Sequence, residues 1–190
     1  LSNIQNSVSN NMLANILEPQ LSLTSTTTPS SVDNRTNETP TFAWSLVLTN
    51  EGLAQAFQIQ DGDSGNWQVQ LPSGVENITA LDVSSTGTVV DNTNLSTAIS
   101  SSDFTVSGAD NNLLSINRIF SMSPSATLTI TFNTNLQATV KPGTTLTANT
   151  DIDYAGQQSG ASAENVRNFA DITTGTGNTP VTSTSAPLNN

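Results

Sequence analysis

Residues 42–52 read Phe42-Ala43-Trp44-Ser45-Leu46-Val47-Leu48-Thr49-Asn50-Glu51-Gly52. Phe42, Trp44, Leu46 and Leu48 recur at every second position, which in a strand sets all four on one face. Ala43, Ser45, Val47 and Thr49 take the other face, and Asn50-Glu51-Gly52 closes the run as a turn. A strand of this kind supplies one side of a sandwich core and carries no chemistry of its own.

The same period continues along the chain. Leu21 and Leu23 predict a short first strand, followed by an exposed Ser/Thr/Pro/Asn loop over residues 24–41. Phe57 and Ile59 alternate up to the acidic turn Asp61-Gly62-Asp63-Ser64-Gly65-Asn66. Trp67, Val69 and Leu71 lead into Pro72-Ser73-Gly74. Further strands are expected around Thr79, Leu81 and Val83, around Val89 and Val90, and around Phe104 and Val106. Leu114, Ile116 and Phe120 form one run toward Pro124, and Leu128, Ile130 and Phe132 alternate with Thr127, Thr129 and Thr131. A long strand is expected from Leu146 to Tyr154, and a final one over residues 169–173. Short alternating strands with turns every ~8–12 residues are the pattern of an all-β sandwich.

These signals divide the chain into an arm (residues 1–17), a β-sandwich domain (18–174) and a Thr/Ser/Pro-rich tail or linker (175–190). In the arm, Ile4, Val8, Met12 and Ile16 fit two periods at once, a strand face and a helix stripe four apart. A first residue of Leu1 is expected of a chain that has lost a signal peptide or is a piece of a longer one.

Composition removes several functions. Charged residues are 10% of the chain, against about 25% in ordinary soluble domains. Ser, Thr, Asn and Gln fill the gap, a habit of secreted and surface proteins. The net charge is -11 and Lys plus Arg total 4, namely Arg35, Arg118, Lys141 and Arg167. Such a chain has no basic patch with which to displace phosphate counterions, so nucleic acid and anionic membrane surfaces are excluded as partners. Cysteine and histidine are absent, which removes disulfides, Cys/His zinc sites and imidazole catalysis. No acid pair stands out in an apolar setting for glycoside hydrolysis, and no catalytic residue is expected.

The excess carboxylates suit calcium, a hard cation that takes several oxygen ligands. The candidate ligands are Asp61, Asp63 and Asn66, with Glu51 nearby and Asp151 and Asp153 two apart on a later strand. A plain acidic turn explains the same residues. Asn34, Asn37, Asn77 and Asn94 each head an Asn-x-Ser/Thr sequon and are candidate glycosylation sites. Trp44 and Trp67 read as core anchors, Trp67 being the better placed of the two for a binding surface. Lys141 lies in a Pro-Gly turn, a poor setting for an intramolecular isopeptide bond.

The order of these motifs resembles the conserved-repeat, immunoglobulin-like modules of prokaryotic surface proteins, which are strung in tandem in adhesins and fibres. The matching residues are Leu46 to Gly52 with Ala54 and Ala56, Phe57 to Asp61, Leu71-Pro72-Ser73-Gly74-Val75, Leu128 to Phe132, Lys141-Pro142-Gly143 and Asp151 to Gly156. The turn at 61–67 and an insertion at 88–103 are longer than that pattern. The resemblance implies an immunoglobulin-like β-sandwich, a structural role on a prokaryotic cell surface and no catalysis. Self-assembly through Ile4, Val8, Met12 and Ile16, entering a neighbour's sheet as a donated strand, is the expected mode. The rival from another class is a carbohydrate- or ligand-binding sandwich with a glycan partner.

Overall fold

A computed structural model describes residues 17–28, 40–61, 66–141, 144, 146–148, 150, 152–156 and 183–185. Within them the chain is all-β. Its strands are β1 (Leu21–Thr28), β2 (Thr41–Asn50), β3 (Ala56–Gln60), β4 (Gln68–Gln70), β5 (Val75–Thr86), β6 (Val89–Asp91), β7 (Phe104–Ser107), β8 (Leu113–Ile116), β9 (Phe120–Met122), β10 (Thr127–Leu136), β11 (Leu146–Ala148), β12 (Asp153–Ala155) and β13 (Ser183–Ser185). A 3₁₀ turn, Ser101–Asp103, precedes β7.

Two antiparallel four-stranded sheets, ordered β1-β2-β10-β5 and β12-β3-β9-β6, enclose the core, and smaller sheets β4-β8-β7 and β11-β13 flank them. In an immunoglobulin sandwich the first sheet runs A-B-E-D, and strand C pairs with F in the second. β1, β2, β10 and β5 occupy A, B, E and D, while β3 pairs with β12 as C with F. The chain is therefore an immunoglobulin-like β-sandwich. Strands β6 to β9 lie between D and E, so the insertion anticipated at 88–103 continues to the start of β10.

The opening motif behaves as its period requires. Phe42, Trp44, Leu46 and Leu48 are all buried, and their alternates are half-buried. β10 opposes β2 with the same rhythm, Phe132 against Trp44, Ile130 against Leu46 and Leu128 against Leu48. The Trp44 and Phe132 rings stack at 6.1 Å and 13°. The Trp44 indole N–H donates to the buried Thr134 hydroxyl at 2.9 Å, so its polar end is satisfied inside the sandwich. From the second sheet come Ile59, Phe120 and Met122, joined by Trp67. Burying each such side chain contributes about 1.5–3 kcal/mol.

Four local expectations are corrected. The first strand extends to Thr28, because Thr24–Thr28 pair with β2 and Thr favours extended backbone. β5 starts at Val75, before the expected Thr79. Asn77 and Ala80 adopt left-handed φ of 59° and 51°, and each register shift against β10 inserts one extra residue; these bulges break the two-residue period. The run expected through Leu114, Ile116 and Phe120 divides into β8 and β9, which join different sheets and bend apart at residues 117–119. The long strand expected from Leu146 to Tyr154 is two short strands, β11 and β12. The expected strand at 169–173 lies outside the described residues.

One buried polar side chain ties the base of the sandwich together. Asn50 is fully buried. Its amide donates to the carbonyls of Ala54, Met122 and Ser123 at 2.9, 3.1 and 3.2 Å. Its Oδ1 accepts from the N–H groups of Gln20 and Gly52. A side chain on Gly52 would meet backbone atoms of Gln20 and Glu18 at 2.4 Å. The Thr-Asn-Glu-Gly end of β2 is thus a clasp over residues 18–20, where the chain enters the domain.

Candidate functional site

The bend between β8 and β9 carries Arg118, and it is pinned from both sides. The Asn117 N–H donates to the Asp103 carbonyl at 2.7 Å, and the Asn92 N–H donates to the Ile119 carbonyl at 3.0 Å. Between these anchors the Arg118 guanidinium reaches two carboxylates. Nη1 donates to Asp91 at 2.6 Å and Nε to Asp103 at 2.5 Å.

Each aspartate is prepared by its own turn. Asp91 ends β6, and its Oδ1 accepts from the Thr93 N–H, the Thr93 hydroxyl and the Asn94 N–H, an Asx turn. Asp103 closes the 3₁₀ turn in a capping box, accepting the Ser100 N–H and hydroxyl on Oδ2. Both carboxylates are buried, whereas the Arg118 side chain remains 41% exposed.

The electrostatics follow from these bonds. The Thr93 hydroxyl, then Arg118 and the Asn94 N–H, hold the Asp91 carboxyl well below the usual carboxylate range. Burial opposes ionisation of Asp103, but the Ser100 N–H and Arg118 outweigh it and lower its pKa as well. The two aspartates raise that of Arg118. All three groups are charged across the physiological range, and every carboxylate oxygen already accepts a hydrogen bond. The triad is a fixed ionic clasp, unsuited to passing protons. Over it opens a cleft of about 480 Å³, whose lining Asn66, Thr93, Ser102, Asn117 and Ile119 complete.

The residues singled out by sequence fall at several places, some of them outside the described residues. Asp61 follows β3, while Glu51 precedes it and accepts the Ser22 hydroxyl at 2.7 Å on the exposed surface. The length of β3, about 17 Å at a strand's rise, separates the two, so Glu51 does not join Asp61. Asp153 lies on β12 opposite Gln60, in the register next to Asp61. Asn66 lines the Arg118 cleft. Asp63 and Asp151 lie outside the described residues, as do Ile4, Val8, Met12, Ile16, Asn34 and Asn37. Among the described residues no group of three or more Asp, Glu, His or Cys is assembled for a metal ion. Asn77 is exposed on a β5 bulge. Asn94 is exposed too, its Oδ1 accepting both the N–H and the hydroxyl of Ser96, the third residue of its sequon.

Trp67 is corrected as a surface candidate. It is 1% exposed, packs on Phe120 at 6.2 Å and donates its indole N–H to Thr150 at 2.6 Å. Lys141 is exposed. Sequence reading missed the clasp of Arg118, Asp91 and Asp103. The available signal was Arg118 itself, a rare cation breaking an apolar run directly after an Asn.

No family model matches this chain, and no curated protein matches it. Among solved structures it is similar to the pilus backbone of Streptococcus pneumoniae, at 12% identity and a TM-score of 0.44 over 72% of this chain and 53% of that one. The chain thus spans about half the length of that structure. It is also similar to the collagen-binding domain of a Staphylococcus aureus adhesin, at 14% identity and a TM-score of 0.42 over 88% and 94%. A third is the major pilin subunit of Bacillus cereus, at 6% identity and a TM-score of 0.44 over 89% and 39%.

Proposed function

We propose that this chain is a non-catalytic, extracellular module of a prokaryotic surface fibre or adhesin, set end to end with neighbouring modules. The observation that carries the reading is the immunoglobulin-like strand order, β1-β2-β10-β5 with β3 paired to β12, closed at one pole over the entering chain. β1 leaves the pole where Asn50 and Gly52 clasp residues 18–20. β12 returns to that pole, where Gly156 lies against Pro19. β13 pairs antiparallel with β11 and lies beside β1. The weakly charged, hydroxyl- and amide-rich composition suits an extracellular surface, and the cluster of Arg118, Asp91 and Asp103 is a saturated clasp rather than an acid-base pair.

Strand donation is the finer part of the reading. β1 is the edge of its sheet, eight residues long, and edge strands present free N–H and C=O groups to an incoming strand. Among the described residues, the three of β13 lie beside it. A neighbour's arm would add main-chain bonds here and seat Ile4, Val8, Met12 and Ile16. The test is a labelled peptide of residues 1–17 offered to protein lacking them. Saturable binding that protects β1 amides from hydrogen exchange is expected; absence of binding sinks strand donation. Calcium at the Asp61–Asn66 turn is a separate element, tested by chelation. A fall in Tm supports it, and an unchanged Tm removes it.

A further inference from the structure

We propose that the cleft over Arg118 is a binding site for a neutral glycan, a function independent of end-to-end assembly. Arginine has five N–H donors, of which one on Nε and one on Nη1 are spent on Asp103 and Asp91. Three remain on a side chain that is 41% exposed where it lines the cleft. The guanidinium is held by two buried carboxylates on a bend whose backbone is itself bonded on both sides. A ligand therefore meets donors already in place, and little side-chain entropy is lost on binding.

Charge selects the ligand class. Two aspartates and one arginine leave the cleft with a local charge of -1, in a chain of net charge -11, so an anion is repelled. A metal ion needs oxygen ligands, and every carboxylate oxygen here is already taken by an N–H or O–H donor. What remains is an uncharged partner that accepts from a guanidinium and exchanges hydrogen bonds with the amides of Asn66 and Asn117 and the hydroxyls of Thr93 and Ser102. Sugar hydroxyls do both at once, and Ile119 supplies an apolar contact for a ring's C–H face. The volume of about 480 Å³ falls in the range of about 300–1,000 Å³ usual for small-ligand sites. An extended peptide is the poorer fit, because β6 has no free edge: β9 pairs with one side and residues 97–99 bond the other.

The experiment is a screen of the full chain on a glycan array, followed by titration of neutral hits by saturation-transfer NMR. Ser102 stands exposed at the cleft wall with its hydroxyl on that of Ser100, so Ser102→Tyr fills the space and gives up that one bond while keeping Arg118, Asp91, Asp103 and the Ser100 bonds to Asp103. We expect this variant to weaken binding about tenfold or more with an unchanged Tm, and Asn66→Ala to weaken it less. Raising the salt concentration leaves the affinity of a neutral ligand unchanged. The proposal is overturned if no neutral glycan binds, if Ser102→Tyr binds as well as the parent, or if an acidic sugar, a peptide or calcium displaces the hit from the cleft.

Discussion

Replacing Asn50 by Ala should be among the most damaging single changes in this domain. The substitution removes the acceptor for the Gln20 and Gly52 N–H groups and the donor to the carbonyls of Ala54, Met122 and Ser123. The amide has two hydrogens for those three acceptors, so about four bonds' worth of interaction is lost, at about 1 kcal/mol each. An expected loss of about 4 kcal/mol is a large part of a typical stability of about 5–15 kcal/mol. In a chain of this size it lowers Tm by about 8–16 °C. Urea unfolding followed by fluorescence and circular dichroism gives the change directly. Asn50→Asp sharpens the test, because it keeps the shape and one acceptor while turning a carboxylate toward three carbonyls. Such an acid has a raised folded pKa, so protonation favours the folded state and the variant should recover stability relative to the parent as pH falls through that raised value. A loss below about 1 kcal/mol for Asn50→Ala, or an Asp variant that is less stable at low pH than at neutrality relative to the parent, would refute the clasp.

Other consequences are measurable. Gly52→Ala places a methyl 2.4 Å from backbone atoms of residues 18 and 20, so it should lower Tm and loosen amide protection of Leu53 and Ala54, whose N–H groups bond Glu18. Arg118→Met should destabilise the domain at neutral pH by stranding Asp91 and Asp103. Both have lowered folded pKa values, so the stability they confer is present above the unfolded value of about 3.9 and lost as pH falls through the folded values. The gap between parent and variant should therefore close in acid, as seen in Tm against pH. Thr134→Val leaves the Trp44 indole N–H without its acceptor inside the core and should cost about 1–3 kcal/mol in denaturant unfolding.

The sandwich was legible where the two-residue period ran unbroken. β2 and β10 show it over ten residues each, and both bury every second side chain from Phe42 and Leu128 onward. It was obscured where backbone departs from that period. Asn77 and Ala80 bulge β5, and Gln58 sits at φ 52° in β3 with its N–H on Asn92, so Phe57 and Ile59 do not share a face. The cleft was hidden for another reason. Arg118 meets Asp91 and Asp103 from 27 and 15 residues away, and only the split between β8 and β9 brings them together. Trp67 looked available because it opens a strand beside an acidic turn, yet its indole finds Thr150 from 83 residues away. Asn50 was visible as a turn residue; its role as a clasp needed the three segments that converge on it.

End-to-end joining of modules through the arm, as proposed, is tested by electron microscopy of the purified chain with and without residues 1–17. The full chain should form strings or filaments of sandwich-sized units. The truncated protein should remain folded, with its Tm unchanged, and appear as single particles. Filaments of equal length and number from the truncated protein would contradict assembly through the arm.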